Sequence, residues 1–144
     1  MEWAALITWL ATAVLGFFML AMWLSRGGMK QSTGIKPVLI LSHFLLAATG
    51  LVIWIVYLAN DNDTLAWIAF VLLAIVALLG WTMFAIWYQR RQRGRTAATG
   101  VTGEPGSSDT PPEQHFPVSI VALHGLLAVT TLVLVFLTAV GVGD

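Results

Sequence analysis

The sequence predicts an all-α integral membrane protein: an up-down-up-down bundle of four transmembrane helices, made of two helical hairpins repeated in parallel. Three observations lead there. Of the 144 residues, 58% are hydrophobic and 10% charged, with a mean hydropathy of +0.85. Four apolar runs, about 3–24, 37–59, 65–88 and 117–140, contain no Asp, Glu, Lys or Arg, and each is long enough to cross a hydrocarbon core of about 30 Å. The third observation is an internal repeat. His43-Phe-Leu-Leu-Ala-Ala-Thr-Gly-Leu-Val52 returns as His124-Gly-Leu-Leu-Ala-Val-Thr-Thr-Leu-Val133, identical at seven of ten positions.

The first run reads as a span and not as a cleavable signal peptide. It has no basic leader, begins beside Glu2, is too long, and lacks a small-residue cleavage motif. Gly27, Gly28 and Gly34 interrupt the connection that follows, and Pro37 suits the first turn of the second helix. Asp61 or Asp63 is placed to cap the third helix. The stretch 96–114 is rich in Gly, Ser, Thr and Pro without apolar periodicity, and reads as a flexible linker leading to the fourth span. Short connections put consecutive helices side by side and antiparallel.

Basic residues set the expected orientation. All seven cluster on two connections: Arg26, Lys30 and Lys36, then Arg90, Arg91, Arg93 and Arg95. Under the positive-inside rule, loops 25–36 and 89–116 lie in the cytoplasm and both termini outside, in a cell inner (plasma) membrane. The net charge of zero says little, because opposite signs are segregated by side. Trp3, Trp23, Trp67 and Trp87 fall near the span ends, as an aromatic belt requires.

The repeat extends to the first and third spans. An offset of 64, Trp3 onto Trp67, also matches Ala5/Ala69, Ala13/Ala77, Leu15/Leu79, Gly16/Gly80, Met19/Met83, Ala21/Ala85, Trp23/Trp87 and Arg26/Arg90. Trp, Met, Gly and Arg matched in one register are hard to obtain by chance. The chain thus reads as a single transmembrane domain, repeat one at 1–60 and repeat two at 61–144. Its two copies are related by an axis along the membrane normal. His43 and His124 then occupy equivalent places, each roughly 10 Å inside the basic end of its helix.

An ionisable residue inside a membrane span is costly and marks a functional site by default. Spans two and four lie on a diagonal of a four-helix square, so two imidazoles reaching inward leave room for one metal between them. One six-coordinate haem b with His43 and His124 as axial ligands fits this arrangement. The absence of cysteine excludes disulfides, thiolate ligands and covalent c-type attachment. Ala47 and Gly50, with Ala128 and Thr131, lie one and two turns deeper on the histidine faces. Gly16 and Gly80 sit at similar depth on the neighbouring helices. All six leave space for a flat macrocycle, although small residues equally serve plain helix packing. Arg26 and Arg90, with Lys30, Lys36, Arg91 and His115, lie at the rim where propionates need cations.

Two other readings stay open at this level. Met19 and Met83 lie near the histidine depth, and two His with two Met make a soft site suited to copper as Cu(I). The histidines can also simply hydrogen-bond across helices. No carboxylate lies within the spans for proton or sodium coupling, no phosphate-binding loop or nucleophile motif is present, and no catalytic residue is assigned. The segment Arg90–Arg95 reads as a topology anchor and not as a nucleic-acid site.

Taken together, the pattern resembles the membrane b-type cytochromes of the cytochrome b561 group, with four spans, intramembrane histidine ligands and nearby glycines. The likeness is one of architecture and covers most of the chain. It implies a redox carrier exchanging electrons with quinol or a partner protein. Two-haem members carry four ligating histidines, whereas only His43 and His124 match here. A haem sensor, a haem-handling protein and a cofactor-free accessory subunit are the remaining alternatives, and the oligomeric state is open.

Overall fold

A computed structural model describes residues 1–30, 34–99 and 111–142, with backbone alone for 96–99. The helices are α1 (Glu2–Ser25), α2 (Pro37–Asn60), α3 (Asp63–Thr99) and α4 (Val118–Ala139), and short 3-10 turns occupy Gly28–Lys30 and Pro112–His115. No strand occurs among the described residues. All four helices are long and apolar enough to cross a membrane. Large apolar side chains point outward in mid-helix on every one: Val14, Leu45, Leu78 and Leu126 are each more than 60% exposed. An apolar exterior of this kind is compatible with a multi-pass membrane protein.

α2 packs on α1 and α3, and α4 on α3 and α1, leaving α1/α3 and α2/α4 as the diagonals. The α1–α2 contact is the thinnest of the four. Local chemistry fixes the helix ends. Pro37 opens α2, where the missing N–H costs nothing. Asp61 ends it in the left-handed region at φ 51°, its N–H donating to Tyr57. The side chain that caps α3 belongs to Asn62, whose Oδ1 accepts the Thr64 N–H at 3.0 Å. Asp61 serves the preceding helix, and Asp63 is the first residue of α3.

Two departures from expectation concern the third connection. α3 runs to Thr99 and not to the end of its apolar run, so it extends into the stretch read as linker. The other end of that stretch is ordered in the turn Pro112–His115, where Pro112 and Glu113 are buried. The centre of the expected linker, 100–110, lies outside the described residues.

Packing along the bundle axis is uneven. At the end carrying the termini and the Asn60–Asp63 turn, Trp9, Trp54 and Tyr57 fill the centre against Ala5, Ala66, Ala69, Leu73 and Val135. Small alanines opposite large aromatics let the helices close there. The basic end is also sealed, by Trp23, Trp87, Ile35 and Glu113. Between these plugs Thr12, Gly16, Met19, His43, Ala47, Gly80, Met83, His124 and Ala128 are all only partly buried.

Candidate functional site

His43 on α2 and His124 on α4 meet across the diagonal, with ring centroids 6.4 Å apart and ring planes inclined at 51°. Each imidazole is anchored to a third helix. Nδ1–H of His43 donates to the carbonyl oxygen of Val76 on α3 at 3.0 Å, and Nδ1–H of His124 donates to that of Thr12 on α1, also at 3.0 Å. A carbonyl can only accept, so Nδ1 carries the proton and the Nε2 lone pair is left for another partner. Neither Nε2 has a hydrogen bond to any described residue. A backbone carbonyl behind Nδ1 is the usual outer support of a metal-binding histidine.

Gly16 and Gly80 make these anchors possible. In an α-helix the carbonyl of residue i is overhung by residue i+4, and Gly16 and Gly80 stand four residues after Thr12 and Val76. A Cβ on Gly16 would lie 3.2 Å from Cε1 of His124, and one on Gly80 would lie 3.3 Å from Cε1 of His43. Both helices therefore present a bare strip of backbone against which an imidazole lies edge-on. The glycines were expected to clear space for a macrocycle, and the group lying against each of them is the histidine ring. The two anchors also fall on the repeat offset, since Thr12/Val76 and Gly16/Gly80 are both 64 residues apart.

The remaining site residues divide by level. Met19, Met83, Ala47 and Ala128 are partly buried, as the histidines are. Gly50 and Thr131 belong to the closed core instead. The space beside Gly50 is filled by the Trp9 indole, 3.1 Å from where a Cβ would stand, and the Thr131 hydroxyl donates to Leu127 of its own helix at 2.8 Å. Arg26 is exposed and Arg90 half-buried, one at the end of α1 and the other within α3. Among the described residues there is no group of three or more His, Asp or Glu able to hold a metal ion. The site rests on two imidazoles.

One buried polar group escaped the sequence reading. Glu113 is fully buried, and its Oε1 accepts the Ile35 N–H at 2.8 Å while Oε2 has no partner among the described residues. Gly34, at φ 105°, lets the chain pass tightly beside this carboxylate. The contact joins residues 78 apart, so the only local sign was the Gly34 needed for a left-handed turn. Comparison with family models, curated proteins and solved structures found nothing that matches this chain.

Proposed function

We propose that this chain is an integral membrane b-type cytochrome, holding one haem b through Nε2 of His43 and Nε2 of His124 and acting as an electron carrier. The observation that carries the reading is the spacing of the two anchored rings. With about 2.0 Å for a metal–nitrogen bond and about 1.1 Å from ring centre to nitrogen, trans imidazoles on one metal place their centroids about 6.2 Å apart. The rings stand at 6.4 Å. Their Nδ1 anchors keep the ligating lone pairs on Nε2 and hold the rings before any metal arrives.

Bound there, the haem would be held by His43 and His124 and would supply reversible one-electron transfer. The protein residues would then fix the ligand distance, exclude water from the sealed ends, and bring Arg26 and Arg90 to the rim facing the propionates. Quinol or a protein on the basic side is the proposed exchange partner. The repeat supports a duplicated hairpin in which each copy contributes one ligand and, from its other helix, one anchor. The basic-residue distribution supports termini outside and basic connections in the cytoplasm of an inner membrane.

Copper is the second reading, favoured by Met19 and Met83 lying partly buried at the histidine level. One experiment separates the two: absorption spectra of the detergent-purified protein, oxidised and reduced, with metal analysis. Sharp reduced α and β bands that vanish in His43→Ala and in His124→Ala support the haem. A colourless wild type with stoichiometric copper overturns it. The sequence holds no cysteine, so single-cysteine labelling at Asp61 and at Met29 reports orientation cleanly. Asp61 reacting only from the cytoplasm would reverse the topology.

A further inference from the structure

The four seams between neighbouring helices are held differently. His43 ties α2 to α3 through Val76, and His124 ties α4 to α1 through Thr12, both at 3.0 Å. Parting either of these seams breaks an anchor of the site itself. On α3–α4, Phe136 sits against Trp67 and Phe70, with ring centroids 6.4 and 5.2 Å away, and Gln114, just before α4, reaches the Trp87 carbonyl at 3.5 Å. A groove of about 230 Å³ also lies on that seam, and neither histidine lines it. The α1–α2 seam has the least contact of the four. At the level of the site it is crossed by Phe17 on α1 and Phe44 on α2, edge to face with centroids 5.1 Å apart. Phe17 follows Gly16, which lies against the His124 ring, and Phe44 follows His43. One step along a helix turns a side chain by about 100°, so both helices place a phenyl ring beside the site and into this seam. Phe17 is 56% exposed on the outside of the bundle.

We propose that the α1–α2 seam is the lateral mouth of the histidine site, through which haem enters and leaves from the bilayer, with Phe17 and Phe44 as its gate. The identity of the ligand rests on the haem reading. Both ends of the bundle are filled, by Trp9, Trp54 and Tyr57 at one and by Trp23, Ile35 and Glu113 at the other, so a flat ligand as large as a porphyrin has to come sideways. Swinging the two phenyl rings apart breaks one edge-to-face contact and leaves both Nδ1 anchors in place. The histidines thus stay aimed while the ligand passes. An exposed phenyl ring changes rotamer fast compared with any helix movement.

The chain has no cysteine, so Phe17→Cys with Phe44→Cys can be joined by dibromobimane, a short bifunctional thiol reagent, in the full-length apoprotein in nanodiscs. Trp67→Cys with Phe136→Cys, joined in the same way, tethers α3 to α4 as the control. Haemin uptake, read at the Soret band, should stop in the α1–α2 linked protein and run at the unlinked rate in the control. A second readout needs no haem: labelling of His43 and His124 by a carbene-generating diazirine dissolved in the lipid should fall with the α1–α2 link alone. Phe44→Ala should speed both uptake and loss of haem by roughly two- to tenfold, the worth of one aromatic pair, and leave the affinity unchanged. Uptake and labelling that survive the α1–α2 link overturn the proposal. So does an equal block by the α3–α4 link, which would mean that any tether stiffens the bundle, and so does an affinity loss in Phe44→Ala without faster exchange. A protein that binds no haemin, linked or unlinked, refutes the haem reading, and the diazirine labelling then decides on its own whether the seam opens.

Discussion

Replacing Gly16 or Gly80 by alanine separates the histidine site from the stability of the bundle. The new Cβ would stand 3.2 Å from His124 Cε1 or 3.3 Å from His43 Cε1, inside the roughly 3.5–4.0 Å at which carbon atoms pack comfortably. The ring must retreat by a few tenths of an ångström. That lengthens an Nδ1···O bond of 3.0 Å beyond the usual range of about 2.7–3.2 Å. Losing most of one such bond costs about 0.5–1.5 kcal/mol. Alanine returns about 0.5–1 kcal/mol by favouring the helix. The two nearly cancel, so the thermal midpoint of the cofactor-free protein should barely move. A metal site tolerates only about 0.2 Å in ligand distance, and every 1.4 kcal/mol is a factor of ten in affinity. Each alanine variant should therefore bind haem roughly three- to tenfold more weakly, and a leucine at either place should abolish binding by evicting the ring. The assay is haem titration of the apoprotein beside thermal unfolding followed by circular dichroism. Gly50→Ala is the control, because its Cβ presses on Trp9 in the closed core at 3.1 Å. It should lower the midpoint and leave haem affinity within twofold. Unchanged haem binding in both Gly80→Ala and Gly80→Leu would refute the reasoning.

Three further outcomes test other parts of the structure. Thr12→Val should leave the His124 anchor intact, because the acceptor is the backbone carbonyl and the Thr12 hydroxyl donates to Thr8 at 2.7 Å; haem affinity that falls tenfold would contradict this. Glu113→Ala should destabilise by about 1–3 kcal/mol, since it leaves the buried Ile35 N–H unpaired. Glu113→Gln keeps an acceptor and should cost less, and the reverse order in thermal unfolding would rule out that hydrogen bond as the cause. At the same seal, Gly28 lies flat on the buried Trp23 indole, leaving no room for a side chain. Gly28→Val should cost about 1–3 kcal/mol by overpacking and red-shift the tryptophan emission, whereas an unshifted spectrum with wild-type stability would remove Trp23 from the seal.

The four helices were legible because long apolar runs free of charge fit a helix, a backbone that would satisfy itself in lipid. The square order followed from short connections, and it placed His43 and His124 on a diagonal before any coordinates. What the sequence reading missed are tertiary effects. Gly16 and Gly80 were singled out by the repeat, but their partner depends on which side chain the facing helix delivers. Gly50 looked equivalent to Ala47 as a small residue on the histidine face, and the size of Trp9 on α1 decided otherwise. The extension of α3 to Thr99 was hidden by the basic run, which read as an anchor. Gln, Arg and Ala are good helix formers, and Gly94 costs only about 1 kcal/mol within a helix already nucleated. Glu113 was invisible, because its burial is created by a backbone N–H that the first connection supplies.

The pattern of hydroxyl bonding bears on whether the histidines are merely interhelical glue. If that were their role, the obvious partner for each Nε2 is a hydroxyl on a facing helix, and threonines are available. Yet the hydroxyls of Thr8, Thr12, Thr49, Thr82, Thr130 and Thr131 all donate to carbonyls of their own helices. The Nδ1–H groups already supply the crosslinks, one from α2 to α3 and one from α4 to α1. A second polar atom on each ring adds nothing to that role. Retaining two imidazoles, with their unused nitrogens belonging to rings 6.4 Å apart, makes physical sense when one acceptor of both lone pairs occupies the space between them.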